Sequence, residues 1–177
     1  MEGEIQELER KKKSITILLF VVYVFMLVWI ILFKMALFSE IADLDHIRKI
    51  NLIPFYYDAE TSGHLSEVLQ NIAIFVPFGI YLKMLRMDTK KSIIYGSGLS
   101  LLLEILQFVI GIGASDITDL ITNTTGTIFG IGIYFMLLFV IRKRETLDKV
   151  LRFFACVCTV ILIALIAFIL LAVLIKY

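Results

Sequence analysis

The sequence predicts an all-α integral membrane protein with about five transmembrane helices and a short amphipathic interfacial helix on the outer face. Of its 177 residues, 60% are hydrophobic, whereas soluble globular domains are roughly half apolar. Several apolar stretches approach the roughly 20 residues that a helix needs to cross a bilayer. Lysine and arginine are concentrated in alternate connections between these stretches, as expected for a chain that crosses a membrane repeatedly.

Five stretches are predicted to be transmembrane helices. The first is uncharged and follows a basic segment, but it is too long for the apolar region of a cleaved signal peptide, so it is interpreted as an uncleaved anchor. Because lipid offers the backbone no hydrogen bonds, each span is expected to be helical. The predicted spans are 15–33, 68–82, 92–112, 117–141 and 153–175.

The distribution of basic residues predicts the orientation of the chain. They cluster before the first span, between the second and third, and between the fourth and fifth. The positive-inside rule therefore places the N-terminus in the cytoplasm and the C-terminus outside. The predicted organisation is a basic cytoplasmic N-terminus at 1–14, a four-helix membrane domain at 15–141, and a basic cytoplasmic loop with the fifth helix at 142–177.

The first outer connection, residues 39–67, is long for a loop without secondary structure. In its first half, apolar residues recur every three positions among charged ones, which predicts a short amphipathic helix on the outer leaflet. These apolar residues are Ile41, Leu44, Ile47 and Ile50. The next segment, 51–55, is expected to turn the chain back toward the membrane.

Glu104 lies inside the third predicted span, where a carboxylate costs about 2.5 kcal/mol or more on insertion scales. It is therefore expected to face the interior of the helix bundle, with a partner or a proton. Ser100 and Gln107 fall on the same helix face. They could contribute to a site with Glu104, or they could form a polar seam that joins helices in lipid.

Asp116, Asp119 and Asn123 are spaced to share one face of the fourth predicted helix. Asp116 is also a suitable N-cap for that helix, and Asp119 suits its positive end. Asn123 lies too deep for capping to explain it. Gly126 and Gly130 form a GxxxG pattern that predicts close packing against another helix of the same chain.

Asn71 and Pro77 mark the second predicted span. Pro77 cannot donate a backbone hydrogen bond, and Gly79 follows it, so a kink and a broken helix are expected in mid-membrane. Broken helices often line transport or binding sites, although a kink can also serve packing alone.

Composition also argues against several classes of protein. A net charge of +1 argues against a nucleic-acid partner, which needs a concentrated basic surface. The two histidines and two cysteines show no metal-ligand spacing, so neither a metal nor a cofactor is predicted. Cys156 and Cys158 are interpreted as apolar packing residues.

Four sequence blocks, in this order, resemble the VanZ-like family over residues 48–134. They are Asn51-Leu-Ile-Pro54-Phe55, Asn71-x3-Phe-Val-Pro77-Phe-Gly, Glu104-x2-Gln107, and Asp116-x2-Asp119-x3-Asn123-Thr-x-Gly126-x3-Gly130. The resemblance implies a bacterial cytoplasmic-membrane protein, in some members associated with modest resistance to the lipoglycopeptide teicoplanin. Many members carry an arginine just before the first aspartate of the fourth block, where this chain has Ser115.

Three functions are compatible with the sequence. The first is binding of a membrane lipid, lipid-linked or lipophilic ligand at the outer leaflet, such as a cell-wall precursor or a lipoglycopeptide. The second is an intramembrane enzyme with Glu104 and Asp119 as an acid–base pair. The third is a small transporter or flippase, for which five spans are few unless the chain forms a homo-oligomer. The predicted ligand-binding residues are Asn51, Pro54, Phe55, Asn71, Pro77, Glu104, Gln107, Asp116, Asp119 and Asn123.

Overall fold

The computed structural model describes residues 2–33, 47–56 and 64–176. Within these ranges the chain forms long helices joined by short connections, together with two short strands. The elements are α1 (Glu2–Phe33), β1 (Ile47–Asn51), α2 (His64–Met84), α3 (Thr89–Ile110), β2 (Ile112–Asp116), α4 (Ile117–Ile141) and α5 (Arg144–Lys176).

Five helices of the described chain are long and apolar enough to cross a membrane. Each contains or overlaps one of the five predicted spans, so the prediction of a helical multi-pass membrane protein is confirmed. Two helices extend further into charged sequence than expected. The basic N-terminal segment belongs to α1, where Lys11 pairs with Glu7 and Lys12 with Glu9. The connection after α4 is reduced to two residues, because α5 already begins at Arg144.

The strands β1 and β2 form a parallel pair that the sequence analysis did not predict. Their register aligns Ile47 with Ile112 and Asn51 with Asp116. The prediction of an interfacial helix is wrong for Ile47 and Ile50, because both residues belong to strand β1. The rest of that predicted helix, 41–46, lies outside the described residues.

The described chain divides into two compact units. One comprises the chain up to Tyr23 and from Leu137 onward, and it contains the fully buried Leu147. The other runs from Val24 to Met136 and contains both strands, α2, α3 and most of α4. The core of this second unit includes Phe75, Leu103 and Tyr134, each at most 1% exposed.

Within the second unit, α2 and α4 approach each other through glycines. A Cβ at Gly126 would collide with the carbonyl oxygen of Ile72, and one at Gly130 would collide with that of Val76. Both positions therefore require a residue without a side chain. The predicted close packing of the GxxxG pattern against a helix of the same chain is confirmed.

The helix α2 continues through Pro77 from His64 to Met84. The prediction that it is broken in mid-membrane is therefore wrong. Proline is tolerated within membrane helices where neighbouring helices and local adjustments satisfy the freed backbone groups. Gly79 also has a packing role, because a Cβ there would collide with the carbonyl oxygen of Thr127 in α4.

Both ends of α3 carry recognisable caps. The Asp88 carboxylate accepts hydrogen bonds from the backbone N–H of Lys90 at 2.9 Å and of Lys91 at 3.4 Å. At the other end, Gly111 adopts a left-handed conformation with φ 77°, and its N–H donates to the carbonyl of Gln107. These caps fix where the chain leaves α3 and enters β2.

Candidate functional site

Polar side chains from five elements meet at the end of the second unit where α3 stops and α4 begins. We call this group the acidic–amide cluster. Its members come from β1, α2, α3, β2 and α4, and each is joined to another element of the unit by a side-chain hydrogen bond. They are Asn51, Asn71, Glu104, Asp116 and Asp119.

Asp116 is the last residue of β2, and its two carboxylate oxygens face different partners. Oδ1 accepts a hydrogen bond from the backbone N–H of Thr118 at 2.7 Å, which caps α4 as predicted. Oδ2 accepts a hydrogen bond from the Asn51 side-chain amide at 3.0 Å. Asp116 therefore ties the start of α4 to the end of β1.

The loop after β1 is attached to the same helix end. The Asn51 carbonyl oxygen Oδ1 accepts the backbone N–H of Ile53 at 3.1 Å, and the backbone N–H of Phe55 donates to Thr118 Oγ1 at 3.0 Å. The side chains of Pro54 and Phe55 nevertheless remain exposed. Of the predicted loop residues, only Asn51 joins the cluster through its side chain.

Thr118 was missed by the sequence analysis. It is 2% exposed and receives the Phe55 backbone hydrogen bond through its hydroxyl. Threonine is common in the first turn of a helix, so the residue type alone does not predict that Thr118 binds the loop after β1. The available signal was its position between Asp116 and Asp119.

Glu104 is the most buried acid of the cluster, at 3% exposed. Its Oε2 accepts a hydrogen bond from the backbone N–H of Asp116 at 2.8 Å. Its Oε1 is buried and has no hydrogen-bond partner among the described residues. Asp119 and Asp116 lie close enough to repel Glu104 electrostatically when it is ionised. The Ser115 side chain also interacts favourably with the Glu104 carboxylate, and Oε1 is the oxygen that remains unpaired.

Asp119 joins α4 to α2. Its Oδ1 accepts a hydrogen bond from the Asn71 side-chain amide at 2.7 Å, and its backbone carbonyl accepts one from Thr122 Oγ1 at 3.2 Å. The Asn71 side chain therefore has a defined partner in the neighbouring helix. Pro77 lies six residues further along α2, about 9 Å away from this contact along the axis.

Beyond the cluster, α3 and α4 share a polar seam. The Asn123 amide donates to Ser100 Oγ at 3.0 Å, and Thr124 Oγ1 donates to Ser97 Oγ at 3.1 Å. Gln107 makes a different connection, because its Nε2 donates to the carbonyl of Ile31 near the end of α1 at 3.0 Å. A carbonyl in the last turn of a helix has no partner within that helix, so Gln107 supplies one.

Asn123 and Gln107 resemble Glu104 in one respect. Asn123 is 1% exposed and Gln107 6% exposed, and the side-chain carbonyl oxygen of each is buried without a hydrogen-bond partner among the described residues. We call Glu104 Oε1, Gln107 Oε1 and Asn123 Oδ1 the three unpaired acceptors. Buried acceptors normally find a donor, so three such atoms on α3 and α4 require an explanation.

The side chains at this site can mainly accept hydrogen bonds and carry negative charge. The described residues contain no group of three or more His, Cys, Asp or Glu side chains arranged to hold a metal ion. The structure thus brings together five predicted site residues in the cluster and places Gln107 and Asn123 beside it. Pro54, Phe55 and Pro77 contribute no side-chain hydrogen bond to it.

The fold and the site together define a multi-pass helical membrane protein with acidic and amide groups gathered at one end of its helices. Residues 20–142 match the family described as VanZ/LLP1. The chain is also 36% identical to Protein VanZ of Enterococcus faecium over 118 residues, which cover 66% of this chain and 71% of that protein. No solved structure shows significant similarity to it.

The chain belongs to the VanZ/LLP1 family. All residues of the acidic–amide cluster fall within the matched range.

Proposed function

We propose that this protein binds a lipid-linked or lipophilic ligand at the outer leaflet of the bacterial cytoplasmic membrane and thereby contributes to teicoplanin tolerance. The ligand would be a cell-wall precursor or a lipoglycopeptide. Family membership supplies the context of resistance. The observation that carries the binding proposal is the buried Glu104 carboxylate, with one oxygen hydrogen-bonded and the other free to accept.

The cost of Glu104 supports a functional role. A carboxylate within a membrane helix costs about 2.5 kcal/mol or more on insertion scales. An amide could also accept the Asp116 backbone hydrogen bond, without the charge and without repulsion from Asp119. The free carboxylate oxygen is therefore suited to a ligand that donates a hydrogen bond or carries a positive charge.

The proposed orientation places this site on the outer side of the membrane. The basic residues in the N-terminal part of α1, around the α2–α3 connection and around the α4–α5 connection fall on one side of a five-span chain. The acidic–amide cluster lies at the opposite ends of α2, α3 and α4. A ligand in the outer leaflet would meet the cluster near the boundary between the head groups and the acyl chains.

The other members of the cluster would shape the site. Asp116 and Asn51 use their side chains to hold β1, β2 and α4 together. Asn71 holds the Asp119 carboxylate from α2. We propose that Asp119 and Glu104 accept hydrogen bonds from the head group, while the exposed apolar side chains of Ile53 and Phe55 lie along its lipid part.

The substitution Glu104→Gln tests this function. Glutamine keeps the shape of the side chain and a carbonyl oxygen for the Asp116 N–H, but it presents an amide where the ligand needs a carboxylate. In a teicoplanin-susceptible host, the tolerance conferred by the wild-type chain should fall to that of the empty vector. The minimal inhibitory concentration measures this, with membrane abundance checked by immunoblot.

Glu145→Gln is the matched control, because Glu145 is exposed in the first turn of α5. It makes the same chemical change away from the cluster and should leave tolerance unchanged. Full tolerance in a normally expressed Glu104→Gln strain would refute the proposed role of the carboxylate.

A further inference from the structure

We propose that Glu104, Gln107 and Asn123 bind a monovalent alkali-metal cation such as Na⁺ in the interior of the helix bundle. The proposal rests on the three unpaired acceptors, which are buried oxygens from two packed helices. It involves the same Glu104 oxygen as the proposed ligand site, but it is tested separately, since the test requires only the protein and a salt.

One N–H of each of the two amides already donates to another partner. Gln107 Nε2 donates to the carbonyl of Ile31, and Asn123 Nδ2 donates to Ser100 Oγ. These hydrogen bonds orient each amide so that its oxygen is left over. Glu104 Oε1 is likewise without a hydrogen-bond partner, because the Asp116 N–H donates to the other carboxylate oxygen, Oε2. Every unused atom is therefore an oxygen acceptor.

The positions of these side chains place their oxygens along one seam. Ser100, Glu104 and Gln107 follow each other at spacings of four and three residues, which puts them on one face of α3. Asn123 reaches that face from α4 through its hydrogen bond to Ser100. The three side chains are at most 6% exposed, so water outside the protein does not satisfy them.

The charge of this donor set favours a monovalent ion. One carboxylate and two neutral amides carry a single negative charge, which a monovalent cation neutralises in apolar surroundings where excess charge is costly. Carboxylate and amide oxygens are hard ligands, and such ligands suit hard cations. Asp119 and Asp116 add further negative potential near Glu104, which would attract a cation.

Thermal unfolding of the purified full chain in detergent tests the site. NaCl, KCl or LiCl replaces N-methylglucamine chloride at constant ionic strength and constant pH, so that only the identity of the cation changes. A ligand that binds the folded state alone raises its stability in a saturable way. We expect one of the three cations to raise Tm by roughly 5 °C at saturation.

Glu104→Gln should remove the cation response, because it deletes the only charge of the donor set. Its Tm in N-methylglucamine chloride should equal or exceed that of the wild type, since a buried charge is lost. Asn123→Asp keeps the side-chain length and adds a charge, so its half-saturating cation concentration should fall several-fold. Glu145→Gln should respond as the wild type does.

Three results would overturn the site. One is a Tm that rises equally, or without saturation, in every salt, as expected if a proton or a water satisfies these oxygens. Another is a wild-type response in Glu104→Gln, and the third is an unchanged half-saturating concentration in Asn123→Asp. Loss of teicoplanin tolerance in Glu104→Gln together with a flat salt response would refute the cation site while supporting the ligand site.

Discussion

Asp116 combines two structural roles because its carboxylate oxygens point to different elements. One oxygen caps α4 through Thr118, and the other accepts the Asn51 amide from β1. Hydrogen bonds to charged groups contribute about 1.5–3 kcal/mol each, more than neutral ones. The junction of α3, β2 and α4 should therefore depend on this residue more than on its neighbours.

We expect the Asn51–Asp116 contact to show as a coupling in a double-mutant cycle. Asn51→Ala and Asp116→Ala should each lower the free energy of unfolding. The loss in the double variant should be smaller than the sum of the two single losses by about 1–2 kcal/mol. Unfolding in mixed detergent micelles measures the free energies. The exposed pair Ser66 and Gln70 provides the control cycle, with a coupling near zero.

Additive effects at Asn51 and Asp116 would show that their hydrogen bond contributes nothing to stability. In that case Asp116 would act through the helix cap alone.

Most residues of the acidic–amide cluster were predictable one at a time. Glu104, Asp119 and Asn71 were singled out because polar groups inside apolar spans are costly, and the structure connects all three to other elements. Their partners were less predictable. Nothing local in the sequence indicates that Gln107 reaches the carbonyl of Ile31, 76 residues earlier.

At the scale of elements, hydropathy located the spans well, because length and apolar composition are properties of each segment alone. The predicted fourth span, 117–141, coincides with α4. The strands were missed because β1 (IRKIN) and β2 (IGASD) are five residues each and lack a regular alternation of apolar and polar residues.

Glycine packing between α2 and α4 leads to a matched pair of substitutions. Gly130→Ala places a Cβ against the carbonyl oxygen of Val76, so it should destabilise the protein by about 1–3 kcal/mol through overpacking. Gly132→Ala has no atom within 4 Å of the added Cβ and should be neutral or slightly stabilising. The test is to measure the free energy of unfolding of each variant and compare the two values.

Equal stabilities for Gly130→Ala and Gly132→Ala would mean that the α2–α4 contact is looser than described. The cluster contact between Asn71 and Asp119 spans the same two helices. Gly130→Ala is therefore also expected to weaken teicoplanin tolerance, whereas Gly132→Ala should not.

At the scale of the whole molecule, the strand pair is consistent with two membrane crossings by α2 and α3, on grounds independent of hydropathy. β1 precedes α2, and β2 follows α3. Two strands that pair must lie on the same side of the membrane, so an even number of spans must separate them. The two helices α2 and α3 meet this requirement.

The orientation can be tested by thiol labelling in a chain with Cys156→Ser and Cys158→Ser. A membrane-impermeant maleimide should label Ile53→Cys in intact cells, because residue 53 lies beside the cluster on the proposed outer side. Lys90→Cys, in the first turn of α3 on the proposed cytoplasmic side, should react only after permeabilisation. The reverse pattern would place Asp116 in the cytosol and refute an outer-leaflet site.

The parallel pairing of β1 with β2 also constrains how the protein is made. Asn51 and Asp116 are 65 residues apart. During synthesis, β1 therefore cannot pair with β2 until both α2 and α3 have entered the bilayer. The acidic–amide cluster can therefore assemble only after β2 and the start of α4 have been synthesised, and a translation product truncated before residue 112 would insert three helices but lack the strand that completes it.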